Sequence, residues 1–174
     1  MSEVLVRPLS EWRINRFGWL MALYAENHQR LQRLFAAERL AEGRHLSSVG
    51  DGLDLHLDVI AVHAYTHELR LSYALIDPVT GVPDPSAHLR LYRDARQVEA
   101  THCYVGRRWQ DVLGMSAPPA VILDHRLRMN TFLGKWLSYL EERGHGIGSL
   151  QALGEVPASH HGTEMPVPGT GRQD

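Results

Sequence analysis

The sequence has little cysteine and little lysine. Cys103 is the one cysteine, which excludes an intramolecular disulfide and a thiolate zinc cage built by one chain. A chain without disulfides fits a reducing compartment, so we expect a cytoplasmic protein. Lys135 is the one lysine among 18 basic residues, a composition bias to which we attach no function.

Long apolar runs and a strong net charge are also missing. No stretch approaches the ~18 apolar residues of a membrane span, and the first residues lack the basic and apolar regions of a signal peptide. The formal charge of −2 argues against a protein that binds nucleic acid electrostatically. With 174 residues, of which 44% are hydrophobic, the chain has the size and apolar content of one soluble domain.

Two segments show the apolar spacing of three and four residues that is typical of amphipathic helices. The first covers about 10–42, and Gly18 inside it leaves one helix or two short helices as alternatives. The second covers about 124–143. The predicted N-caps are Ser10 and Asp124, and the predicted stops are Gly43 and Gly144.

Between these helices the apolar period is two, which predicts four strands. They lie at about 53–62, 68–75, 89–91 and 98–104. The proline-rich stretch 77–85 is a predicted loop, and the aperiodic stretch 106–119 is predicted to be a loop, with a short helix within it as the alternative. The economical fold is α+β: an antiparallel four-stranded meander sheet with an N-terminal and a C-terminal helix packed on one face, which is a two-layer sandwich.

We predict a single α+β domain at residues 10–148, between an N-terminal extension at 1–9 and a C-terminal tail at 149–174. The tail is rich in Gly, Pro, Ser, His and Thr, and its few apolar residues show no sustained period. Apolar burial there cannot offset the entropy of ordering the chain, so disorder is predicted from about Gln151 onward.

Three blocks of sequence form a recognisable pattern when they are considered together. The first block comprises Leu23, Asn27, Leu31, Arg33 and Leu34. The second is Leu-Arg-Leu-Tyr-Arg-Asp-Ala at 89–95, followed by Val98 and Glu99, and the third is Asn-Thr-Phe-Leu-Gly-Lys-Trp-Leu at 130–137, followed by Gly144. Their order and spacing resemble the bacterial DUF1249 family. The resemblance covers about 20–144 and implies a small cytoplasmic protein without an assigned activity.

The sequence departs from the family pattern at two places. Arg93 stands where the family usually has histidine, and the family's Tyr-x-Tyr-Pro-Asn segment is not recognisable in 106–123. A site built on that segment would therefore be altered or lost in this chain.

The densest set of charged and aromatic groups lies at a strand end and turn, and consists of Arg90, Tyr92, Arg93 and Asp94, with Arg96 close behind. Arginine can grip a phosphate or carboxylate bidentately, and tyrosine can stack or donate through its hydroxyl. These first four residues are our candidate ligand-binding site. The structural alternative is that Asp94 makes the turn while Arg90 pairs with a carboxylate such as Glu99 across the hairpin.

Residues of the first and third blocks are assigned to architecture. Asn130 has helical spacing from leucines that should face the sheet, where its amide must be satisfied by backbone or by Asn27. The residues given this structural role are Asn27, Leu31, Asn130, Phe132 and Trp136.

Metal binding and catalysis find little support in the sequence. Five of the eleven histidines lie within or beside predicted strands: His56, His63, His67, His88 and His102. No metal-binding spacing connects them, so we predict no metal and no cofactor. Cys103 and His102 are adjacent in a strand, so their side chains face opposite sides and cannot share a proton. Asp54 and Asp58 lie on one strand more than ~10 Å apart, which is too far for a catalytic carboxylate pair. No catalytic residue is predicted.

The leading hypothesis is a noncatalytic binding or adaptor module of the cytoplasm. The alternative is a sensor or enzyme for a small anionic or nucleotide-like ligand held by Arg90, Tyr92 and Arg93. The expected partner is a protein or a small anion, with no nucleic acid and no membrane involved. A homodimer formed through an exposed sheet edge or face is a third alternative.

Overall fold

The computed structural model describes residues 9–75, 86–103 and 118–154, which form an α+β fold. Two long helices, α1 (Leu9–Phe35) and α2 (Pro119–Glu142), accompany a six-stranded antiparallel sheet. The strands are β1 (Gly43–Ser47), β2 (Leu55–Val62), β3 (Thr66–Tyr73), β4 (Ser86–Tyr92), β5 (Gln97–Cys103) and β6 (Leu150–Gly154). The α+β class predicted from the sequence is therefore confirmed.

The prediction of four strands was too low. The four expected strands are β2 to β5, each antiparallel to the next, and the full sheet has the order β5-β4-β3-β2-β1-β6. β1 was missed because its pattern is inverted: His45 and Ser47 are buried, whereas Leu46 is only half-buried. Pairing with both neighbours, rather than apolar alternation, orders this strand.

β6 corrects the prediction for the C-terminal tail. Disorder was expected from Gln151, but residues 150–154 pair antiparallel with β1. Most of their side chains are exposed, so backbone hydrogen bonds hold the strand and no apolar period marks it in the sequence. The remaining tail, the extension before Leu9 and the predicted loops at 77–85 and 106–117 lie outside the described residues.

Helix α1 is continuous through Gly18 and ends seven residues before the predicted end at Glu42. Ala36 adopts a left-handed backbone, φ 48°, which ends the helix and leads into a short 3₁₀ helix, Ala37–Arg39. Gly43 is not the stop, because it begins β1. A Cβ at Gly43 would lie 2.8 Å from a backbone oxygen of β6, so the close pairing of the two strands requires glycine there.

Helix α2 begins earlier than predicted. Pro119 occupies its first position, where a missing backbone N–H leaves no hydrogen bond unmade. Asp124 is consequently not the N-cap: it lies inside the helix and forms an ion pair with Arg16 of α1. Gly144 has φ +88° just beyond the helix, in agreement with its predicted role as the stop.

The helices and the sheet share the larger of two apolar clusters, and the smaller one, Leu20, Tyr24 and Leu127, lies between the helices. Alternate residues of β2 to β5 are buried and pack with buried residues of both helices. The side chains between them on the strands are more polar and include the cross-strand pair of Arg90 and Glu68. The sheet therefore presents its apolar side to the helices, and the segments that follow β4 and α1 meet at the boundary between the layers.

Candidate functional site

The predicted cluster at the end of β4 is divided by the fold into two environments. In the first, the exposed Arg90 has Nη2 3.3 Å from Glu68 Oε1 on β3. Tyr92 donates its hydroxyl hydrogen to Glu99 Oε1 on β5, at 2.8 Å, and burial together with this hydrogen bond raises the pKa of Tyr92. Arg90 and Tyr92 are thus engaged within the sheet. Arg90 forms a cross-strand ion pair as in the structural alternative, with Glu68 as the carboxylate instead of the suggested Glu99.

The carboxylate of Glu99 also connects the sheet to both helices. Tyr24 of α1 donates its hydroxyl hydrogen to Oε2 at 3.3 Å, and Arg126 Nη1 of α2 lies 3.8 Å from the same oxygen. Burial, followed by the negative charge of Glu99, raises the pKa of Tyr24 to about 12. Tyr24 therefore remains a neutral donor at ordinary pH.

Asn130 of α2 fixes the helix at the β5 edge of the sheet. The side chain is fully buried, and its Oδ1 accepts the backbone N–H of Ala100 at 2.8 Å. Its Nδ2 donates to the carbonyl oxygen of Arg126, and Asn27 Nδ2 donates to the carbonyl oxygen of Asn130 at 3.0 Å. An edge-strand donor is thereby satisfied by a helix side chain. We name this cluster the edge junction: Tyr24, Asn27, Glu99, Ala100 and Asn130.

The other residues assigned to architecture lie nearby in the core. Leu31 is fully buried, and the ring of Trp136 lies 5.9 Å from that of Phe132. A Cβ at Gly134 would lie 2.9 Å from Asn27 Oδ1, so the missing side chain lets α1 and α2 approach closely.

The described ranges do not assemble a reactive centre from the histidines and the cysteine. His88 and His102 make an edge-to-face contact with ring centroids 5.4 Å apart. Across 9–75, 86–103 and 118–154, no group of three His, Cys, Asp or Glu residues is placed to hold a metal ion. Burial raises the pKa of Cys103 to about 12, and its thiol lies 3.9 Å from the Met129 carbonyl oxygen. The thiolate form is therefore strongly disfavoured.

Arg93 and Asp94 belong to the second environment, the turn 93–96 between β4 and β5. Asp94 Oδ1 accepts the N–H of Ala95 at 2.8 Å, which is a turn-forming role. Arg93 donates its backbone N–H to the carbonyl oxygen of Tyr65 at 2.9 Å. These bonds anchor the turn, and the side chain of Arg93 lines a cavity.

This cavity of about 830 Å³ opens between α1, the 3₁₀ helix and the turn 93–96. Its lining consists of Ala25, His28, Gln29, Gln32 and Arg33 of α1, Glu38 and Arg39 of the 3₁₀ helix, and Arg93, Ala95 and Arg96 of the turn. The five α1 positions recur at three and four residues, so they form one stripe along the helix. We name the cavity the arginine pocket.

The charge of the arginine pocket is mainly positive. Among the described residues its one carboxylate is that of Glu38, whose Oε1 lies 2.7 Å from His28 Nε2. Arg33 Nε lies 3.7 Å from Glu141 in a pair whose side chains are about half exposed. Within the part of the chain that the structure describes, the arginines without a carboxylate partner in this pocket are Arg39, Arg93 and Arg96. A local positive potential thus exists in a chain of net charge −2.

Strained backbone flanks the arginine pocket on two sides. Among the described residues, the non-glycine residues with left-handed backbone are Ala36, φ 48°, and Arg96, φ 51°. Ala36 introduces the 3₁₀ helix that carries Arg39, and Arg96 lines the pocket itself. This conformation costs roughly 1–2 kcal/mol per residue outside glycine and concentrates at functional sites. The two turns that shape the pocket are therefore held against their local preference.

Sequence reasoning identified part of this pocket and missed the rest. Arg93 was a candidate, but His28, Glu38 and Arg39 were not, because they lie more than fifty residues away along the chain. The one local signal was the presence of three arginines within seven residues, Arg90, Arg93 and Arg96, of which the last two line the pocket. Only the fold places the two segments side by side.

The fold and the pocket define an α+β domain with a cationic cavity of ligand size. A family model described as Protein of unknown function (DUF1249) matches residues 30–146, and the chain belongs to this family. No curated protein and no solved structure gives a match to the chain. None of the helices in the described ranges combines the length and apolar character that crossing a membrane requires.

Proposed function

We propose that the protein is a noncatalytic binding module whose ligand is a small anion received by the arginine pocket. The observation that carries the proposal is that four arginines line one cavity to which the described residues contribute a single carboxylate. Guanidinium groups bind phosphates and carboxylates through paired, charge-assisted hydrogen bonds. We assign this binding to the cytoplasm, on the ground of the single cysteine.

The reactive groups in the structure favour binding over catalysis. His28 is almost fully buried and its Nε2 is already engaged by Glu38. Cys103 lies in the apolar core and does not line the pocket. Volume also supports a ligand, since pockets for small molecules commonly measure about 300–1,000 Å³.

The proposal is tested by thermal unfolding of the full chain at low ionic strength with phosphate, pyrophosphate, citrate and nucleotides. A ligand at ~100 times its Kd should stabilise the protein by about 2.7 kcal/mol, or roughly 5–11 °C in Tm. The double variant Arg39→Ala/Arg96→Ala should lose the shift. Both side chains are exposed, so the variant is expected to fold.

The matched control is Arg90→Ala, which removes an arginine outside the pocket. This variant should keep the full ligand-induced shift. An equal loss in the control and in the double variant would show that the effect is nonspecific. If no anion raises the Tm of the unmodified protein, the pocket proposal is wrong, and a protein partner becomes the leading hypothesis.

A further inference from the structure

We propose that the anion is a nucleoside polyphosphate, with its phosphates held by the arginines and its base read by glutamine side chains of α1. This inference rests on the proposed function and adds the class of ligand. Its two halves correspond to two chemically different walls of the arginine pocket.

The cationic wall is suited to several linked phosphates. Arg39 belongs to the 3₁₀ helix, whereas Arg93 and Arg96 belong to the turn 93–96, so arginines line the cavity from two segments of the chain. The Arg93 guanidinium also donates through Nη1 to the carbonyl oxygen of Ala64 at 3.4 Å. Among the described residues none of these three has a carboxylate partner. A single carboxylate could neutralise one of them, whereas a chain of phosphates carries enough charge and length to engage all three.

The α1 wall offers groups that both donate and accept hydrogen bonds. Gln29 is exposed and makes no side-chain hydrogen bond within the described residues. Gln32 accepts the N–H of Glu38 through Oε1 at 3.4 Å, while its Nε2 is buried and lacks a hydrogen-bond partner in the same ranges. Phosphates only accept hydrogen bonds, but the edge of a base presents donors and acceptors together, which is the pattern that a glutamine amide complements.

Two small side chains of the lining leave room for a flat base. Ala25 and Ala95 are the smallest side chains of the lining and face the cavity from α1 and from the turn. The cavity of about 830 Å³ lies within the range of pockets that hold cofactor-sized molecules. A larger side chain at Ala25 would occupy this space without removing a charge.

The test is isothermal titration of the full chain, without divalent metal, with inorganic tripolyphosphate, the four common ribonucleoside triphosphates and a free nucleoside. We expect one triphosphate to bind roughly tenfold or more tightly than tripolyphosphate, since a good amide-to-base contact discriminates on that scale. Gln29→Ala and Ala25→Leu should abolish this advantage, so that the preferred triphosphate binds no more tightly than tripolyphosphate to each variant. Arg96→Ala should weaken both.

The outcomes separate this inference from the proposed function. If all nucleotides bind no better than tripolyphosphate, the nucleoside inference is wrong while anion binding stands. If neither tripolyphosphate nor any nucleotide binds but citrate does, the anion is a carboxylate and the inference is again wrong. If no anion binds at all, both proposals fail.

Discussion

Two polar clusters lie at the boundary between the helices and the sheet, and they differ in where their hydrogen bonds go. At the edge junction, Glu99 and Asn130 are largely or fully buried and find their partners inside the protein. In the arginine pocket, Arg39 and Arg96 are exposed, and neither forms an ion pair with a carboxylate of the described ranges. The polar groups of the edge junction position α1 and α2 on β5, whereas the exposed arginines of the arginine pocket remain available to bind a ligand.

This difference shows that the density of charge in a sequence is a poor guide to a site. Arg90 and Arg93 are three residues apart on and beside one strand. Arg90 forms an ion pair with Glu68, whereas Arg93 lines a cavity. The fold determines which arginine forms an ion pair with a carboxylate and which arginine is free of one and can bind a ligand.

The largest expected effect comes from breaking the edge junction with Asn130→Ala. The buried N–H of Ala100 would lose its acceptor and a cavity would form, so we expect a loss of about 2–4 kcal/mol in the free energy of unfolding. Unfolding by denaturant measures this loss. Arg128→Ala, an exposed position on the same helix, is the control and should change stability by less than ~0.5 kcal/mol. Equal effects of the two substitutions would remove the structural role of Asn130.

Two substitutions of Arg96 separate the effect of backbone strain on stability from the effect of the guanidinium charge on anion binding. Arg96→Gly relieves the left-handed backbone, so we expect a gain of about 1 kcal/mol in stability, or roughly 2–4 °C in Tm. Arg96→Ala keeps the strain and should show no such gain. Both variants should weaken anion binding equally, since each removes the same guanidinium. Retention of full affinity in either variant would exclude Arg96 from the binding site.

A smaller effect is expected from pH, through His67 near the arginine pocket. His67 is buried, and burial lowers its pKa below the ordinary 6.5. The positive charge of Arg93 lowers this pKa as well, whereas the negative charge of Glu38 opposes the shift. The unfolded chain then binds the proton more readily than the native protein as the pH falls through about 6.5. The free energy of unfolding should therefore keep the whole contribution of His67 above this pH and should decrease below it.

Burial also lowers the pKa of His125 and His145, which contribute with the same sign. Thermal unfolding between pH 5 and 8 measures the slope. His67→Leu should flatten the slope without abolishing it, because the other two histidines remain. An unchanged slope in this variant would show that His67 does not titrate differently in the two states.

The smallest effect is expected for Arg90→Ala on the sheet surface. The pair with Glu68 is exposed on both sides, and such pairs contribute about 0–1 kcal/mol. Chemical denaturation should accordingly show a loss below ~1 kcal/mol. A loss as large as that of Asn130→Ala would place Arg90 within the edge junction and erase the distinction between the two clusters.

Most of the fold was predictable where apolar residues set the period. The alternation of Leu55, Leu57 and Val59 identified β2, and both helices were found from their apolar stripes. β1 and β6 were not predictable in this way, because pairing rather than apolar burial defines them. The early end of α1 depends on the left-handed backbone at Ala36, which no residue preference favours.

The candidate site was predictable only in fragments. Asn130 was correctly expected to face the sheet, since its helical spacing from buried leucines is visible in the sequence. The arginine pocket combines residues 25–39 with 93–96, and their proximity follows from the path of α1 over the turn between β4 and β5. The spacing of these residues along the chain does not indicate that they are close in space.

The position of β6 has a consequence for how the protein can be shortened. The family match ends at residue 146, yet β6 completes the sheet by covering the outer edge of β1. A fragment cut only after residue 146 would leave the hydrogen-bonding groups of β1 unpaired along one side. Exposed strand edges of this kind join to other chains, so such a fragment would tend to aggregate even though its core remained intact.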